Sequence, residues 1–348
     1  MTSIIRHPKN PILTTKDLAP SSDGLEVVGV FNPGACKFGD EYILIARVAE
    51  GCLQEKGWFK VPVMNFKGEK PILEFKTWKS DEIDLSDPRK FWYGSQLYLS
   101  SMSHLRVARS SDGVNFTFDS KPFLCAEYPD ESFGVEDTRV TQFGNTYYFT
   151  YTAVSQDSHG VSMASTKDFE HVKRLGMILP PENKDTCLFP EKINGRYMAL
   201  HRPLSDHFSL PSIWCCESPD LTHWGNHSCI LRPTENKYES EKIGVGPEPI
   251  KTEDGWLVLY HGVSDDSVYT LYLCLLDLED PRKVLKRTRQ PILVPQDPWE
   301  KNGFFPNVIF SNGWIKEAGG HILIYFGAAD ESICVAETTV DDLLENFD

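Results

Sequence analysis

The sequence lacks any run of about 18 consecutive apolar residues, so it predicts no membrane-spanning helix. Basic residues are also scarce: 35 Lys and Arg against 50 Asp and Glu leave a net charge of −15 over 348 residues. A surface of this charge repels nucleic-acid phosphates and anionic lipid, so we expect neither nucleic-acid nor membrane binding. The first ten residues contain no apolar core of a secretion signal, which predicts a cytoplasmic protein.

Motifs for several common chemistries are missing as well. The nine Cys are odd in number and form no Cys-x-x-Cys pair. Most of them lie in apolar runs, which favours buried reduced thiols over disulfides or a zinc site. The sequence contains no GxGxxG, GxxxxGK[ST] or GxSxG motif, so neither nucleotide binding nor a serine-hydrolase elbow is indicated. We therefore expect no metal and no organic cofactor.

Long helical periodicity is scarce, and short strand-like runs recur instead. Each run follows a turn that contains glycine, and the turn glycines at 39, 94, 144, 195, 255 and 320 are 55, 50, 51, 60 and 65 residues apart. The runs are EYILIARV (41–48), SQLYLSSM (95–102), TYYFTYTAV (146–154), RYMALHRP (196–203), WLVLYHGV (256–263) and HILIYFGAA (321–329).

Several of these units continue with a further strand and a short turn rich in Ser and Asp, as in 104–116, 160–172, 212–224 and 269–284. A repeat of about 50 residues built from short antiparallel strands is typical of a β-propeller, in which stacked blades bury faces that one hairpin cannot bury. Six signals allow five or six blades, the outermost two sharing one blade if C-terminal strands pair with N-terminal ones. A large β-sandwich explains the period less well. We predict one all-β domain, with an arm at 1–30 and the propeller at 31–340.

Polar residues stand out against apolar neighbours in these strands, where the channel of a propeller would lie. Several such residues converging on one axis suit a carbohydrate site, because carboxylates act on an acetal and many donors and acceptors bind hydroxyls. Each also has a structural interpretation, such as an ion pair, a loop cap or a buried histidine in the core. The candidates are Arg47, His104, Arg106, Glu136, Asp137, Arg139, Asp185, Glu191, Lys192, His201, Arg202, Glu248, Tyr260, His261 and Asp330.

Longer motifs, ordered along the chain from about residue 25 to about residue 337, resemble glycoside hydrolase family 130. The resemblance implies a five-bladed β-propeller that acts on β-mannosides, in most members as an inverting phosphorylase and in a minority as an inverting hydrolase of β-1,2-mannosides. The motifs are GVFNPGA (29–35), SHLRVARSSDGVNF (103–116), FGVEDTRVT (133–141), LFPEKINGRYMALHRP (188–203), SPDLTHWG (218–225) and GWLVLYHGV (255–263).

The resemblance also suggests roles for individual residues. Asp137 matches the aspartate of the family's Glu-Asp-x-Arg motif and is the expected general acid, with Arg139 holding a carboxylate or a sugar hydroxyl. Asn32, in the first motif, joins the candidates for binding substrate or phosphate. The residues that match the family's groups for the anion and for the sugar at subsite −1 are Arg47, His201, Arg202, Tyr260 and His261.

Two reactions remain open from the residues. Phosphorolysis, with inorganic phosphate as co-substrate, requires cations and donors to place the anion. The residues of that type are Arg47, Lys192, His201, Tyr260 and His261. Hydrolysis requires a carboxylate base about 6.5–9.5 Å from the acid, for which Glu191 and Glu248 are the candidates. We favour an inverting β-mannoside phosphorylase acting on β-1,2-mannooligosaccharides and releasing α-mannose 1-phosphate. A hydrolase and a non-catalytic sugar-binding propeller remain alternatives, and self-association to a homo-oligomer is left open.

Overall fold

Short antiparallel strands make up most of the chain in a computed structural model that describes residues 4–68, 70–204 and 207–347. The first thirteen strands are β1 (Ile5–Arg6), β2 (Leu25–Phe38), β3 (Glu41–Cys52), β4 (Trp58–Asn65), β5 (Ile72–Lys79), β6 (Lys90–Tyr93), β7 (Gln96–Leu99), β8 (Ser101–Ser110), β9 (Thr117–Phe118), β10 (Val135–Phe143), β11 (Thr146–Ser155), β12 (Ser158–Thr166) and β13 (Lys173–Leu179).

The remaining strands are β14 (Asn183–Leu188), β15 (Tyr197–Pro203), β16 (Ile213–Ser218), β17 (Gly225–Leu231), β18 (Lys242–Val245), β19 (Ile250–Lys251), β20 (Trp256–Val263), β21 (Tyr269–Leu276), β22 (Val284–Arg287), β23 (Ile309–Lys316), β24 (His321–Ala328) and β25 (Ser332–Thr339). Helices are short: α1 (Pro298–Lys301), α2 (Val340–Leu344) and single 3-10 turns at Thr15–Asp17, Ser80–Glu82, Pro129–Glu131 and Ala318–Gly320. No helix in the described ranges is long and apolar enough to cross a membrane.

The strands form five blades of a β-propeller, which confirms the predicted fold class. From the axis outward, blade 1 is β2-β3-β8-β9, blade 2 is β10-β11-β12-β13 and blade 3 is β14-β15-β16-β17. Blade 4 is β18-β20-β21-β22, with β19 also paired to β20, and blade 5 is β23-β24-β25-β1. The N-terminal strand thus pairs with the last C-terminal strand and closes the ring, since Ile5 lies opposite Glu337.

The turn at Gly94 explains why six repeat signals give five blades. Strand β7, which follows it, pairs only with β6 in a two-stranded hairpin, and a second hairpin of β4 and β5 precedes it. Both hairpins are inserted between the second and third strands of blade 1. The run 95–102 is therefore not the second strand of a blade, whereas the other five runs correspond to β3, β11, β15, β20 and β24.

The core is divided among the blade interfaces. Five clusters of buried apolar residues each join two neighbouring blades, including blades 5 and 1, so hydrophobic burial closes the ring as well as the β1–β25 pairing does. A sixth cluster, which includes Val61, Trp78 and Phe91, packs the inserted hairpins against Phe133 just before blade 2. All nine cysteines are free thiols, as predicted.

The predicted turns of Ser and Asp follow the third strands. Asp112, Asp168, Asp220 and Asp277 each accept backbone N–H groups two and three residues ahead, which ends the strand and starts the return to the outer edge. The division into an arm at 1–30 and a propeller at 31–340 stays a prediction: Leu25 already begins the inner strand of blade 1, and residues 1–3 lie outside the described residues.

The innermost strands share one irregularity that positions the site. Pairing with the second strand is interrupted between Phe31 and Gly34 in blade 1, between Glu136 and Arg139 in blade 2 and between Lys184 and Cys187 in blade 3. In each interruption the first residue has a positive φ: 48° at Asn32, 47° at Asp137 and 51° at Asp185. Asn and Asp tolerate this left-handed conformation better than most residues, and bulges re-aim side chains. Three blades thus present one polar side chain each at equivalent positions.

Candidate active site

One side of the axial cluster is built by blades 1 and 2 around Asp137. Arg47 of β3 donates to Asp137 Oδ1 at 3.2 Å and to Glu136 Oε1 at 2.8 Å, while Asn32 donates to the same Oδ1 at 3.1 Å. Asp137 is 8% exposed. Both contacts go to Oδ1, so Oδ2 is the oxygen left to address a substrate. The ring of Phe31 packs below the Arg47 guanidinium at 4.7 Å and fixes its plane.

The other side is built around Asp185 of blade 3. Arg202 Nε lies 2.7 Å from Asp185 Oδ2 and Arg139 Nη2 lies 3.1 Å from Oδ1, with every side chain of this triad at most 6% exposed. The two cations hold the pKa of Asp185 well below its usual range against the effect of burial. Arg139 also donates to the carbonyl oxygens of Asp137, Val245 and Gly246, so it ties blades 2, 3 and 4 together at the axis.

His261 of blade 4 joins this side through a close approach that a glycine permits. Its Nε2 lies 3.7 Å from Asp185 Oδ2. A Cβ on Gly244, the residue opposite His261, would lie 2.4 Å from both Asp185 Oδ2 and the imidazole, so no larger residue fits there unless they move. Burial lowers the pKa of His261 well below its ordinary value, and the ring is therefore neutral at physiological pH. Phe310 packs against it with ring centroids 4.5 Å apart.

Asp330 completes the carboxylate side from the turn between β24 and β25, where its φ is 54°. Burial raises its pKa to about 6; the positive charge of Arg47 opposes this shift and the negative charge of Asp137 adds to it. Asp330 therefore lies close enough to Arg47 and Asp137 for their charges to affect its protonation, and it binds a proton under mildly acidic conditions.

Further cations surround the Asp185 side, and sequence reasoning missed them. Burial lowers the pKa of Lys242 to about 8, and the positive charges of Arg202, Arg89 and Lys90 act in the same direction. Arg89 and Lys90 come from the insertion that contains the two hairpins. The sequence indicated this insertion only through the run 95–102, which was interpreted as a strand of a blade. Lys242 lies in the long polar segment after β17, a type of loop that commonly builds propeller sites.

Tyr269 provides a further donor within this cationic group. The charges of Arg202, Arg89 and Lys184 act on its hydroxyl, whose pKa burial raises. Lys242 Nζ lies 5.3 Å from the centroid of its ring. Lys242 and Tyr269 thus join Arg202 on the Asp185 side, and Arg89, which pairs with Asp87 at 3.0 Å, acts on both of them.

Several buried polar atoms in the cluster have no hydrogen-bond partner within the described part of the chain. They are Asn32 Oδ1, Arg202 Nη1 and His261 Nδ1. Buried polar groups in folded proteins are nearly always hydrogen-bonded, so these atoms indicate places for a ligand or for water. They lie on both sides of the cluster, as a site for a sugar and an anion requires.

Two predicted residues lie on the surface instead, which corrects the expectation for them. Glu191 is exposed in the turn after β14 and pairs with Lys251, whose side chain is also about half exposed. Lys192 is exposed and lies 4.3 Å from the centroid of the Tyr197 ring. The turn between β14 and β15 is at the opposite end of these strands from Asp185 and Arg202, so neither residue reaches the cluster.

The carboxyl of Glu248 is buried, but it lies against a later part of β10 than the acid candidate. It contacts Thr141, four residues beyond Asp137 on this strand. Although the residue as a whole is partly exposed, Oε2 is buried without a partner, and burial raises the pKa of the carboxyl to about 7.

Tyr260 is a core residue and not a ligand of the cluster. It is fully buried between blades 3 and 4, donates to Glu239 Oε2 at 3.1 Å, accepts from Arg287 at 2.8 Å and stacks on Tyr272. The sequence places it next to His261, but successive residues of a strand face opposite sides of the sheet, so only His261 points to the cluster.

The same alternation of faces excludes His104, Arg106 and His201 from the axial cluster. Residues 104 and 106 lie on the face of blade 1 opposite to that of Arg47, where His104 Nδ1 is 3.4 Å from Glu50 and Arg106 Nη1 reaches the carbonyl oxygen of Ala19. His201 faces blade 2 and uses both ring nitrogens, one with Asn183 and one with His227. The predicted residues that come together are Asn32, Arg47, Glu136, Asp137, Arg139, Asp185, Arg202, His261 and Asp330.

The arrangement separates charge across the axis. Carboxyl groups of Glu136, Asp137 and Asp330 lie with Arg47 on one side, and cations gather around Asp185 on the other. A carboxyl group with one unpaired oxygen can donate a proton to a departing oxygen, and clustered cations with a phenol can hold an anionic oxygen nucleophile.

Comparisons with known proteins agree with this chemistry. A model of glycoside hydrolase family 130, described as beta-1,4-mannooligosaccharide phosphorylase, matches residues 66–348. The beta-1,2-mannobiose phosphorylase of Listeria innocua is 42% identical over 353 residues, which cover 99% of each chain. The 1,2-beta-oligomannan phosphorylase of Thermoanaerobacter sp. is 42% identical across 71% of this chain and 82% of its own. The structure of the Listeria innocua enzyme in complex with beta-1,2-mannobiose superposes with a TM-score of 0.95 over 99% of both chains.

Proposed function

Because the chain belongs to glycoside hydrolase family 130, we propose that it is an inverting phosphorylase of β-1,2-linked mannooligosaccharides. It cleaves a terminal β-mannoside with inorganic phosphate and releases α-mannose 1-phosphate. Two curated relatives at 42% identity, one of them matched along its whole length, carry names of phosphorylases of β-1,2-linked mannosides, which supports both the reaction and the linkage.

The observation that carries the proposal is the charge separation across the axis. Arg139, Arg202 and Lys242 act on the single carboxylate of Asp185, so positive charge exceeds negative charge there, and both guanidinium groups are buried. Such a group costs free energy unless an anion neutralises it, because buried like charges repel each other. Inorganic phosphate is the anion that the reaction requires, and its attack on C1 needs placement more than activation by a base.

In the proposed reaction Asp137 is the general acid. As the bond between C1 and the leaving oxygen breaks, Asp137 gives its proton to that oxygen, and a phosphate oxygen forms the new bond on the opposite face of C1. Hydrogen phosphate brings one proton into the site, and the sugar phosphate gives this proton up when it leaves as a dianion, so the proton that Asp137 gave to the leaving oxygen is replaced. Inversion follows from the single displacement, so a β-mannoside gives the α-phosphate. Arg47 and Asn32 hold Oδ1 of the acid, which leaves Oδ2 for the substrate.

The hydrolase alternative is not favoured by either base candidate. Glu191 is a surface residue paired with Lys251, and the carboxyl of Glu248 contacts Thr141, whereas Asp137 contacts Arg47 and Asn32. A non-catalytic sugar-binding propeller would not need buried cations beside a carboxyl group at the axis. Neither alternative has an observation of its own in its favour.

Incubation of β-1,2-, β-1,3- and β-1,4-mannobiose with and without orthophosphate tests the proposal. We expect the β-1,2 isomer to be consumed only with phosphate, giving equal amounts of mannose and α-mannose 1-phosphate by chromatography. Consumption at full rate without phosphate would support a hydrolase, and binding without turnover would support a sugar-binding protein. We further propose a cytoplasmic location, since a sugar 1-phosphate is metabolically useful inside the cell, and no organic cofactor.

A further inference from the structure

Three side chains outside the axial cluster bring metal-ligating atoms together on blade 3. His201, Cys216 and His227 lie on β15, β16 and β17, one on each of three successive strands, and their ligand atoms lie within 4.8 Å of one another. The register explains the cluster: Ala199 lies opposite Cys216 and Trp214 lies opposite His201, so positions 201 and 216 share the face directed at blade 2.

The two imidazoles already have the separation that a bound ion needs. His201 Nε2 lies 3.0 Å from His227 Nδ1, and the planes of the two rings make an angle of 80°. Two nitrogen ligands at about 2.0–2.1 Å from a tetrahedral ion lie about 3.3–3.4 Å from each other, so the rings need to separate by only about 0.3–0.4 Å.

A second interaction orients His201 for ligation. Its Nδ1 lies 3.1 Å from Asn183 Oδ1, and when Nδ1–H donates to this oxygen, the lone pair of Nε2 points at the cluster. Ligating histidines in metalloproteins are commonly fixed in this way by a carbonyl or carboxylate oxygen on the other ring nitrogen.

We propose that His201 Nε2, Cys216 Sγ and His227 Nδ1 form a binding site for a divalent transition metal ion, with Zn²⁺ as the best match to two imidazoles and one thiolate. On binding, the Cys216 thiol loses its proton to the solvent and the sulfur gives an electron pair to the ion. The proton between the two rings moves to the exposed Nε2 of His227, so one proton is released per ion.

The site is open on one side and independent of catalysis. His227 is exposed, which provides an entry path and leaves a fourth position for water. Arg202, the neighbour of His201, points the other way toward Asp185, so the ion would not touch the axial cluster. Because each ligand comes from a different strand, the ion would hold three strands of blade 3 together and stabilise the folded state.

Titration of the metal-free, fully reduced protein with Co²⁺ tests the site. We expect one equivalent to bind, with a near-ultraviolet thiolate-to-cobalt band that Zn²⁺ abolishes, and a higher thermal unfolding midpoint with Zn²⁺. Cys216→Ser should lose the band. His227→Gln, a change at an exposed position, should weaken binding at least tenfold with the fold intact, as far-ultraviolet circular dichroism would verify.

Two matched variants control for adventitious binding. His223→Gln removes another exposed histidine of blade 3, and Cys125→Ser removes the exposed thiol; neither should change the titration. The proposal is overturned if the parent protein gives no thiolate band, if the band survives in Cys216→Ser or disappears in Cys125→Ser, or if His227→Gln binds as tightly as the parent.

Discussion

The variant Glu248→Gln gives a prediction that separates a structural carboxyl from a catalytic one. The Glu248 carboxyl lies beside Thr141 with Oε2 buried and unpartnered, and burial raises its pKa from an ordinary 4.5 to about 7. Since the folded state holds the proton more tightly than the unfolded state, Glu248 contributes its full stability below about pH 4.5 and loses it as the pH rises through about 7.

The magnitude follows from the two pKa values. The pKa is 4.5 in the unfolded state and about 7 in the folded state. Between about pH 5 and about pH 8 the free energy of unfolding therefore falls by about 2.5 kcal/mol, which corresponds to roughly 1.8 pKa units. The Gln side chain is neutral throughout, so the variant escapes this loss. The parent protein should therefore lose about 2.5 kcal/mol more stability than Glu248→Gln over this pH interval.

Urea unfolding of both proteins at the two pH values measures this double difference. The same preparation also reports on catalysis. Because the Glu248 carboxyl contacts Thr141 and not Asp137, the variant should keep phosphorolysis of β-1,2-mannobiose within a few-fold of the parent rate. Equal pH dependence of stability in the two proteins would refute the account of burial. A loss of several orders of magnitude in rate would instead restore Glu248 as a catalytic base.

Three further changes test the axial cluster. Asp137→Asn should lower kcat by about 10²–10⁴-fold with unchanged circular dichroism, and retention of more than about a tenth of the rate would reassign the acid. The KM for phosphate should rise as the pH passes about 8, where Lys242 loses its proton. Lys242→Met should raise this KM at neutral pH and flatten its rise with pH. The surface variant Lys251→Met should do neither. Arg139→Met should cost about 3–5 kcal/mol in urea unfolding, because it breaks a buried ion pair and leaves Asp185 and three carbonyl oxygens with fewer partners; a loss below about 1 kcal/mol would contradict this.

The propeller was predictable because each repeat contains short turn motifs that can be recognised in the sequence. Turn glycines before the second strands and Asp residues after the third strands, such as Asp112 and Asp168, recur in most blades and act within a few residues of chain. The insertion was not predictable in the same way. Its hairpins have the same kind of glycine turn as a blade. The turn at Gly94 therefore looks like the start of a blade in the sequence, and only the pairing of β6 with β7 shows that it belongs to a separate hairpin.

The site was predicted where residue type and strand position agree. Asp137 and Asp185 are polar residues at left-handed positions of inner strands, and both lie at the axis. Residues on second and third strands depended on which face they occupy, and a shift of one residue reverses the face. His261 and Arg202 thus face the cluster, and their neighbours Tyr260 and His201 do not. The cations of the insertion, and Lys242 at the start of β18, depend on long-range packing, for which the sequence has no local signal.

The most direct test of the proposed function is ³¹P NMR of the protein with β-1,2-mannobiose and orthophosphate. We predict that the orthophosphate signal falls while a sugar phosphate signal rises in equal amount, and that the coupled proton spectrum identifies an α-linked mannose 1-phosphate. Release of mannose while the orthophosphate signal stays constant would contradict it.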